Sequence, residues 1–289
     1  MLDKKAVNEK RAELIAQAMD TPEGRVALAQ AMVEPIRRAL EYQAVGRKLL
    51  LVDELPQGAY ARYEKDVRAT AWVVSRRGSV PDNIVEGEEI LVPTFEIAVN
   101  PTVRISEVKA RRFYIVDRAQ IKAKEAIQKE EDSNIFAAIN TAVAAVAANL
   151  IVSTGGALSI QALNQAFAAV ESHDLTVGKV VCHALRYADI RAWGQTVFDQ
   201  ATMKEVLTTG LFGHIFTADI HVSSRVPTTY VFVMAPAEYV GAFPVRQDIT
   251  VLPADDPKKL RLGWVVYEEV GVVIVNDYAI ARVEVSVGS

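Results

Sequence analysis

The stretch DRAQIKAKEAIQKEEDSNIFAAINTAVAA, opening at Asp117, constrains this chain more than any other. Asp117 is placed to cap a helix that, continued to Ala148, has about 32 residues and spans roughly 48 Å at 1.5 Å per residue. The mean helix of a globular protein is three turns. Its first half is charged, with Lys122, Lys124, Glu125, Lys129, Glu130 and Glu131. Its second half is apolar on most sides, with Ile135, Ile139 and Val143 four residues apart. One end therefore reads as solvated and the other as buried. Asp132-Ser133-Asn134 offers the alternative of ending one helix and capping a second.

The chain has 289 residues, 51% of them hydrophobic, so it can bury a sizeable core in one large or two ordinary domains. The formal net charge of -4 gives no support to a nucleic-acid groove. The single cysteine, Cys182, excludes an internal disulfide framework and suits a reducing compartment. The first residues, MLDKKAVNEKRAELIAQAM, have no apolar core of a secretory signal. Ile135–Val152 is long enough to cross a membrane, but its alanines and the polar Asn140, Thr141 and Asn149 favour a buried helix of a soluble protein.

The stretch WVVSRRGSVPDNIVEGEEILVPTFEIAV, Trp72 to Val99, reads as a hairpin. Its strands run from Ala69 to Ser75 and from Ile90 to Val99. Its tip, Arg76–Glu89, is about 14 residues, longer than most hairpin loops. Pro93 lies in the return strand and belongs on an edge, because proline donates nothing to a ladder. An isolated hairpin is marginal in water, so this one must lean on something.

Residues 1 to about 40 read as a charged helical arm, restarted at Thr21-Pro22-Glu23. Leu49–Leu55 is a short apolar run closed by a turn at Pro56-Gln57-Gly58. Val103–Val116 alternates like a strand, with one change of phase. Ser153-Thr-Gly-Gly156 marks a boundary, followed by an amphipathic helix from Leu158 to Glu171 capped by Ser159. A buried strand over Val177–Leu185 and a short helix from Tyr187 to Trp193 come next. Met203–Thr208 adds a helical turn. From Ile215 onward the pattern is mostly strands, broken by a helical turn at PAEYVGAF. The closing run, LRLGWVVYEEVGVVIVNDYAIARVEVSV, reads as two long strands turning near Asn276-Asp277.

Chemistry is sparse. His173, His183, His214 and His221 show no metal-ligand spacing. Cys182 and His183 are strand neighbours and face opposite sides. Thr154–Ser159 lacks the lysine of a phosphate loop. Glu88-Glu89, Asp255-Asp256 and Glu268-Glu269 are sequence neighbours, which reads as solvated faces and turns. No catalytic residue, cofactor site or metal site is expected. What stands out instead is an arm, a long hairpin and a very long helix. Such parts are poorly satisfied in one compact monomer and well satisfied in a symmetric homo-oligomer.

In this order the parts resemble the major capsid proteins of tailed double-stranded DNA phages, an α+β fold named after phage Hong Kong ninety-seven. EPIRRALEYQAVGRKLLLVDELPQGA resembles that family's junction of N-terminal arm and P-domain. The hairpin resembles its E-loop, and the long helix its spine helix. VGKVVCHALRYADIRAWG and LFGHIFTADIHVSSRVPTTYVFVMAPAEYVGAF resemble parts of its A-domain. The resemblance implies an arm over 1–35 and an E-loop over 60–99. It also implies a P-domain over 36–59, 100–152 and 262–289, with the spine helix at about 117–148, and an A-domain over 153–261. It implies hexamers and pentamers forming an icosahedral shell around packaged DNA in the virion, assembled in the host cytoplasm. Partners would be other copies of the chain, a separate scaffolding protein, a portal and a decoration protein, with no sequence-specific DNA binding and no membrane. The E-loop residues Trp72, Arg76, Arg77, Glu86, Glu88 and Glu89 would meet neighbouring subunits. The tip has no lysine for covalent cross-linking; Lys65 precedes the strand and Asn276 lies in the closing run. Locking by packing and charge is therefore expected. The alternatives are an encapsulin, a cellular compartment of the same fold, and, more remotely, a cytosolic enzyme with an unrecognised site.

Overall fold

The computed structural model describes residues 45–56, 58–65, 88–109, 114–193 and 214–286. The expected arm, the hairpin residues Trp72, Arg76, Arg77 and Glu86, and the turn at Met203–Thr208 lie outside these. A helical turn α1 (Gly46–Leu49) leads to β1 (Leu51–Glu54), β2 (Ala61–Glu64), β3 (Glu89–Val92), β4 (Phe95–Val99) and β5 (Thr102–Arg104). A short helix α2 (Ile105–Lys109) precedes the long helix α3 (Tyr114–Ala144). Then come β6 (Leu150–Ser153), α4 (Ile160–Glu171), β7 (Lys179–Cys182), α5 (Ala184–Ala192), β8 (His214–Ile215) and β9 (Ala218–Val222). The chain closes with β10 (Tyr230–Met234), α6 (Ala237–Val240), β11 (Gly241–Pro253), β12 (Arg261–Val270), β13 (Val273–Ile274) and β14 (Ile280–Val285).

Helix α3 is continuous for 31 residues, about 46 Å. It contains neither Gly nor Pro. Asp132-Ser133-Asn134 does not break it, because the side chains that would cap a new helix are engaged elsewhere. Asp132 accepts the Gly46 N–H at 2.9 Å, and Ser133 Oγ donates to the Lys129 carbonyl one turn back. The buried line runs Ala123, Ile127, Glu131, Ile135, Ile139, Val143, one residue in four. Each step of four overshoots a full turn by about 40°, so this line winds around the helix. Glu131 lies within it, 1% exposed. The division into solvated and buried halves therefore fails at Glu131.

Two compact units divide the chain, and the boundary falls within α3 between Phe136 and Ala137. The first unit holds 94–136 and 244–271, together with α1 up to Lys48. Here β12 pairs with β11 over Val245–Pro253, with β4 and with β5, all antiparallel. Along β12 the inward side chains are Trp264, Val266, Glu268 and Val270, strict alternation with a carboxylate in an apolar row. β11 slips register between Gln247 and Thr250, forming a bulge that contains Asp248.

The second unit is built on a six-stranded sheet ordered β6-β14-β10-β7-β9-β8. β6 with β14 and β7 with β9 are parallel; the other pairs are antiparallel. In the central β10, Val231, Phe232, Val233 and Met234 are all fully buried, as expected of a strand covered on both faces. Helix α4 presents Ala162, Leu163, Ala166, Phe167 and Val170 to the core. Ser159 caps it as expected, its Oγ accepting the Ala162 N–H at 3.2 Å. Gly155 and Gly156, at φ 101° and 78°, make the preceding turn.

Three local expectations change. Val103–Val116 is not one strand: β5 ends at Arg104 and the chain turns helical at Ile105. The phase change in its alternation was the trace of this. Ile135–Val152 is not one helix, because α3 ends at Ala144 and Leu150–Ser153 joins the sheet beside β14. Within the described residues no helix is long and apolar enough to cross a membrane. The return strand Ile90–Val99 is two strands in different sheets, separated at Pro93-Thr94.

Leu163→Ala is expected to destabilise the protein by about 2–5 kcal/mol through loss of core contacts. Ser159→Ala should cost about 1 kcal/mol through loss of the cap. Urea unfolding followed by circular dichroism measures both.

Candidate functional site

Among the described residues, two places combine polar chemistry with a defined scaffold. The first is the hairpin base. β2 and β3 pair antiparallel, Ala61 opposite Val92 and Glu64 opposite Glu89, and the Lys65 N–H donates to the Glu88 carbonyl. The outgoing strand is thus Ala61–Glu64 where the structure describes it; the expected strand Ala69–Ser75 lies outside the described residues. Ala61 and Val92 bury themselves with Ala242 and Val273, and Leu55, Tyr63, Ile90 and Val275 pack around them. Tyr63 donates to Asp53 at 2.8 Å, and burial and that carboxylate raise its pKa. β11 approaches β13 closely here: a Cβ on Gly241 would lie 2.1 Å from the Val273 carbonyl oxygen. The hairpin leans on this small apolar platform.

Glu88 and Glu89 stand at the base of the hairpin, not at its tip. Glu89 lies 3.2 Å from Arg62, and Glu88 lies 4.0 Å from Lys65. Both pairs are exposed and worth little to the fold. A cleft of about 550 Å³ opens beside Lys65, His173, Asp174, Asn276, Asp277 and Tyr278. Its histidine ring packs on Tyr278, with centroids 4.6 Å apart.

The second place is a buried charge cluster in the first unit. Arg47, on α1, donates from Nε to Glu131 Oε1 at 2.5 Å and from Nη2 to Glu268 Oε2 at 3.0 Å. Both carboxylate side chains are fully buried. Burial lowers the Arg47 pKa, but Glu131, Glu268 and Asp248 outweigh it and raise it overall. Burial raises Glu131, aided by Asp132 and Asp248 and opposed by Arg47. Burial and then the Glu131 charge push Glu268 up to about 8, against Arg47. Its sequence neighbour Glu269 faces the other way, where Arg246 donates to it at 2.7 Å and Thr94 also donates.

Sequence reasoning assigned Glu131 and Glu268 to solvated faces, and both are buried. The signal was present in each case. Glu131 falls midway between Ile127 and Ile135, and Glu268 alternates with Val266 and Val270. The remaining candidates are dispersed. Cys182 is buried, which pushes its thiol up to about 12. His183 is not a strand neighbour of Cys182: it caps α5, its Nδ1 accepting the Leu185 N–H. His214 sits beside Asp219 on the surface, at 2.5 Å. Among the described residues no group of His, Cys, Asp and Glu is arranged to hold a metal ion.

The family described as phage capsid protein matches residues 89–283. Solved structures with the same fold include one titled Microbacterium phage Oxtober96, at 15% identity and a TM-score of 0.66, covering 84% of this chain and 91% of that one. The capsid structure of Cyanophage P-SCSP1u matches at 12% identity and a TM-score of 0.65, covering 85% and 89%. A virus-like particle from Pyrococcus furiosus matches at 19% identity and a TM-score of 0.56, covering 87% and 98%. No curated protein sequence matches. At these identities the likeness is one of fold, and the fold is the Hong Kong ninety-seven type.

Removing Arg47 would strand two carboxylates in the interior. Arg47→Ala is expected to cost about 3–5 kcal/mol. Arg246→Ala, which breaks a partly exposed pair, should cost about 1 kcal/mol or less. Chemical denaturation at neutral pH distinguishes them.

Proposed function

The chain belongs to the phage capsid protein family, and on that premise we propose that its copies assemble as hexamers and pentamers into an icosahedral shell around packaged double-stranded DNA. It is a capsid shell protein and a virion component. The observation that carries the reading is the family match over residues 89–283, joined to a fold shared with phage capsid structures along most of the chain. The function is structural, not catalytic. A cellular compartment shell is the weaker reading, because the family matched is that of phage capsids.

In this proposal α3 is the spine helix and the hairpin rooted at β2 and β3 is the E-loop. The arm is 1–35, the P-domain 36–59, 100–152 and 262–289, and the A-domain 153–261. The base is held by its own subunit through Ala242 and Val273. Trp72, Arg76, Arg77 and Glu86 reach the neighbouring subunit, with Glu88 and Glu89 at the boundary between base and reach. Because Glu88 and Glu89 have partners within the chain, the intersubunit charge contacts centre on Arg76, Arg77 and Glu86. An exposed pair contributes about 0–1 kcal/mol, but a shell repeats it in every subunit. A separate scaffolding protein, a portal and a decoration protein complete the assembly, and the host cytoplasm is where it forms. DNA is held without sequence recognition, in keeping with the net charge of -4.

Electron microscopy of the expressed protein, alone and with its scaffolding protein, tests this. Hexamers, sheets or shells are expected; a lone monomer under both conditions sinks the reading. Reversing Arg76 and Arg77 to Glu should leave a folded subunit with impaired assembly, and normal shells from that variant would remove the E-loop assignment.

A further inference from the structure

Among the described residues, the two buried glutamates that Arg47 bonds meet no second cation. The groups that meet there are Arg47 from α1, Glu131 and Asp132 from α3, Asp248 from the β11 bulge and Glu268 from β12. On the side of β12 away from β11, Ile97 of β4 lies opposite Glu268. Asp132 also accepts the Gly46 N–H. Arg47 bonds one oxygen of each glutamate, which leaves Glu131 Oε2 and Glu268 Oε1 buried with no hydrogen-bond partner. Two desolvated carboxylates beside one guanidinium do not both ionise without large cost. One proton on the pair balances the guanidinium and turns an unpartnered acceptor into a donor.

We propose that Glu131 and Glu268 share one proton at neutral pH, and that its loss at mildly alkaline pH opens the clasp by which α1 holds α3 and β12 together. The proton belongs to the coupled pair, not to either residue. The raised pKa of both glutamates agrees with this arrangement. The sign follows from linkage. The unfolded chain releases this proton in the ordinary carboxylate range, whereas the native chain keeps it up to about 8 at Glu268. The native state therefore binds the extra proton between those values. Its stabilising contribution is full below the carboxylate range and is lost as pH rises through the native value. The clasp is a property of the single subunit and does not depend on the shell reading.

The test is a series of thermal melts and hydrogen-exchange measurements between about pH 6 and pH 9.5, with exchange corrected for its intrinsic pH dependence. The wild type should lose melting temperature across this range and lose protection at 46–49 and 128–135. Glu268→Gln, permanently neutral, should show neither loss. Parallel falls in wild type and variant overturn the shared proton. A fall in melting temperature without loss of protection at those segments overturns the clasp. Should Glu268→Gln not fold, infrared spectroscopy of the wild type decides: a protonated carboxyl band at neutral pH that vanishes by about pH 9.5 supports the proposal, and no such band at neutral pH overturns it.

Discussion

Burial of a winding line on one long helix is the constraint from which the rest follows. Ala123, Ile127, Glu131, Ile135, Ile139 and Val143 are all withdrawn from water, yet they do not lie along one straight face. A helix of 31 residues with such a line meets different neighbours along its length. The division into two units within α3 reflects this. Continuity of the helix in turn depends on Asp132 and Ser133 spending their hydrogen bonds outside a cap. Gly46 permits the close approach: a Cβ there would stand 2.3 Å from the Ile135 Cδ1.

A capsid subunit must be rigid where it is its own scaffold and must leave other parts to be completed by its neighbours. The central sheet of the second unit meets the first need, with β10 buried on both faces. In the proposed shell the hairpin meets the second. Its base packs Ala61 and Val92 on Ala242 and Val273, and the paired glutamates there stand in solvent. Proline separates β3 from β4 and so lets two consecutive strands enter different sheets. The anchoring belongs to the fold, whereas the reach of the hairpin belongs to the proposed assembly.

Much of this was legible from residue pattern. The long helix, the Ser159 cap and the Gly155-Gly156 boundary each follow from local rules acting over a few residues. The order of those parts was enough to point to a shell protein. Errors arose where a local rule stopped short. The Ile90–Val99 run reads as one strand, but Pro93 divides it between two sheets. The apolar run after Ile135 continues past the end of α3 because a helix and a sheet strand bury similar residues.

The charge cluster marks the boundary between what sequence and tertiary structure each decided. By itself the sequence determined the period: every fourth residue on α3 and every second on β12 would point inward, whatever its identity. It also placed Glu131 and Glu268 on those inward positions. It did not determine that carboxylates would be tolerated there. That required Arg47, distant by 84 residues from one and 221 from the other, to arrive on α1. A buried charge is stable only beside a counterion and hydrogen-bond donors. Those came from elements far away in the chain, and only the tertiary structure brought them together.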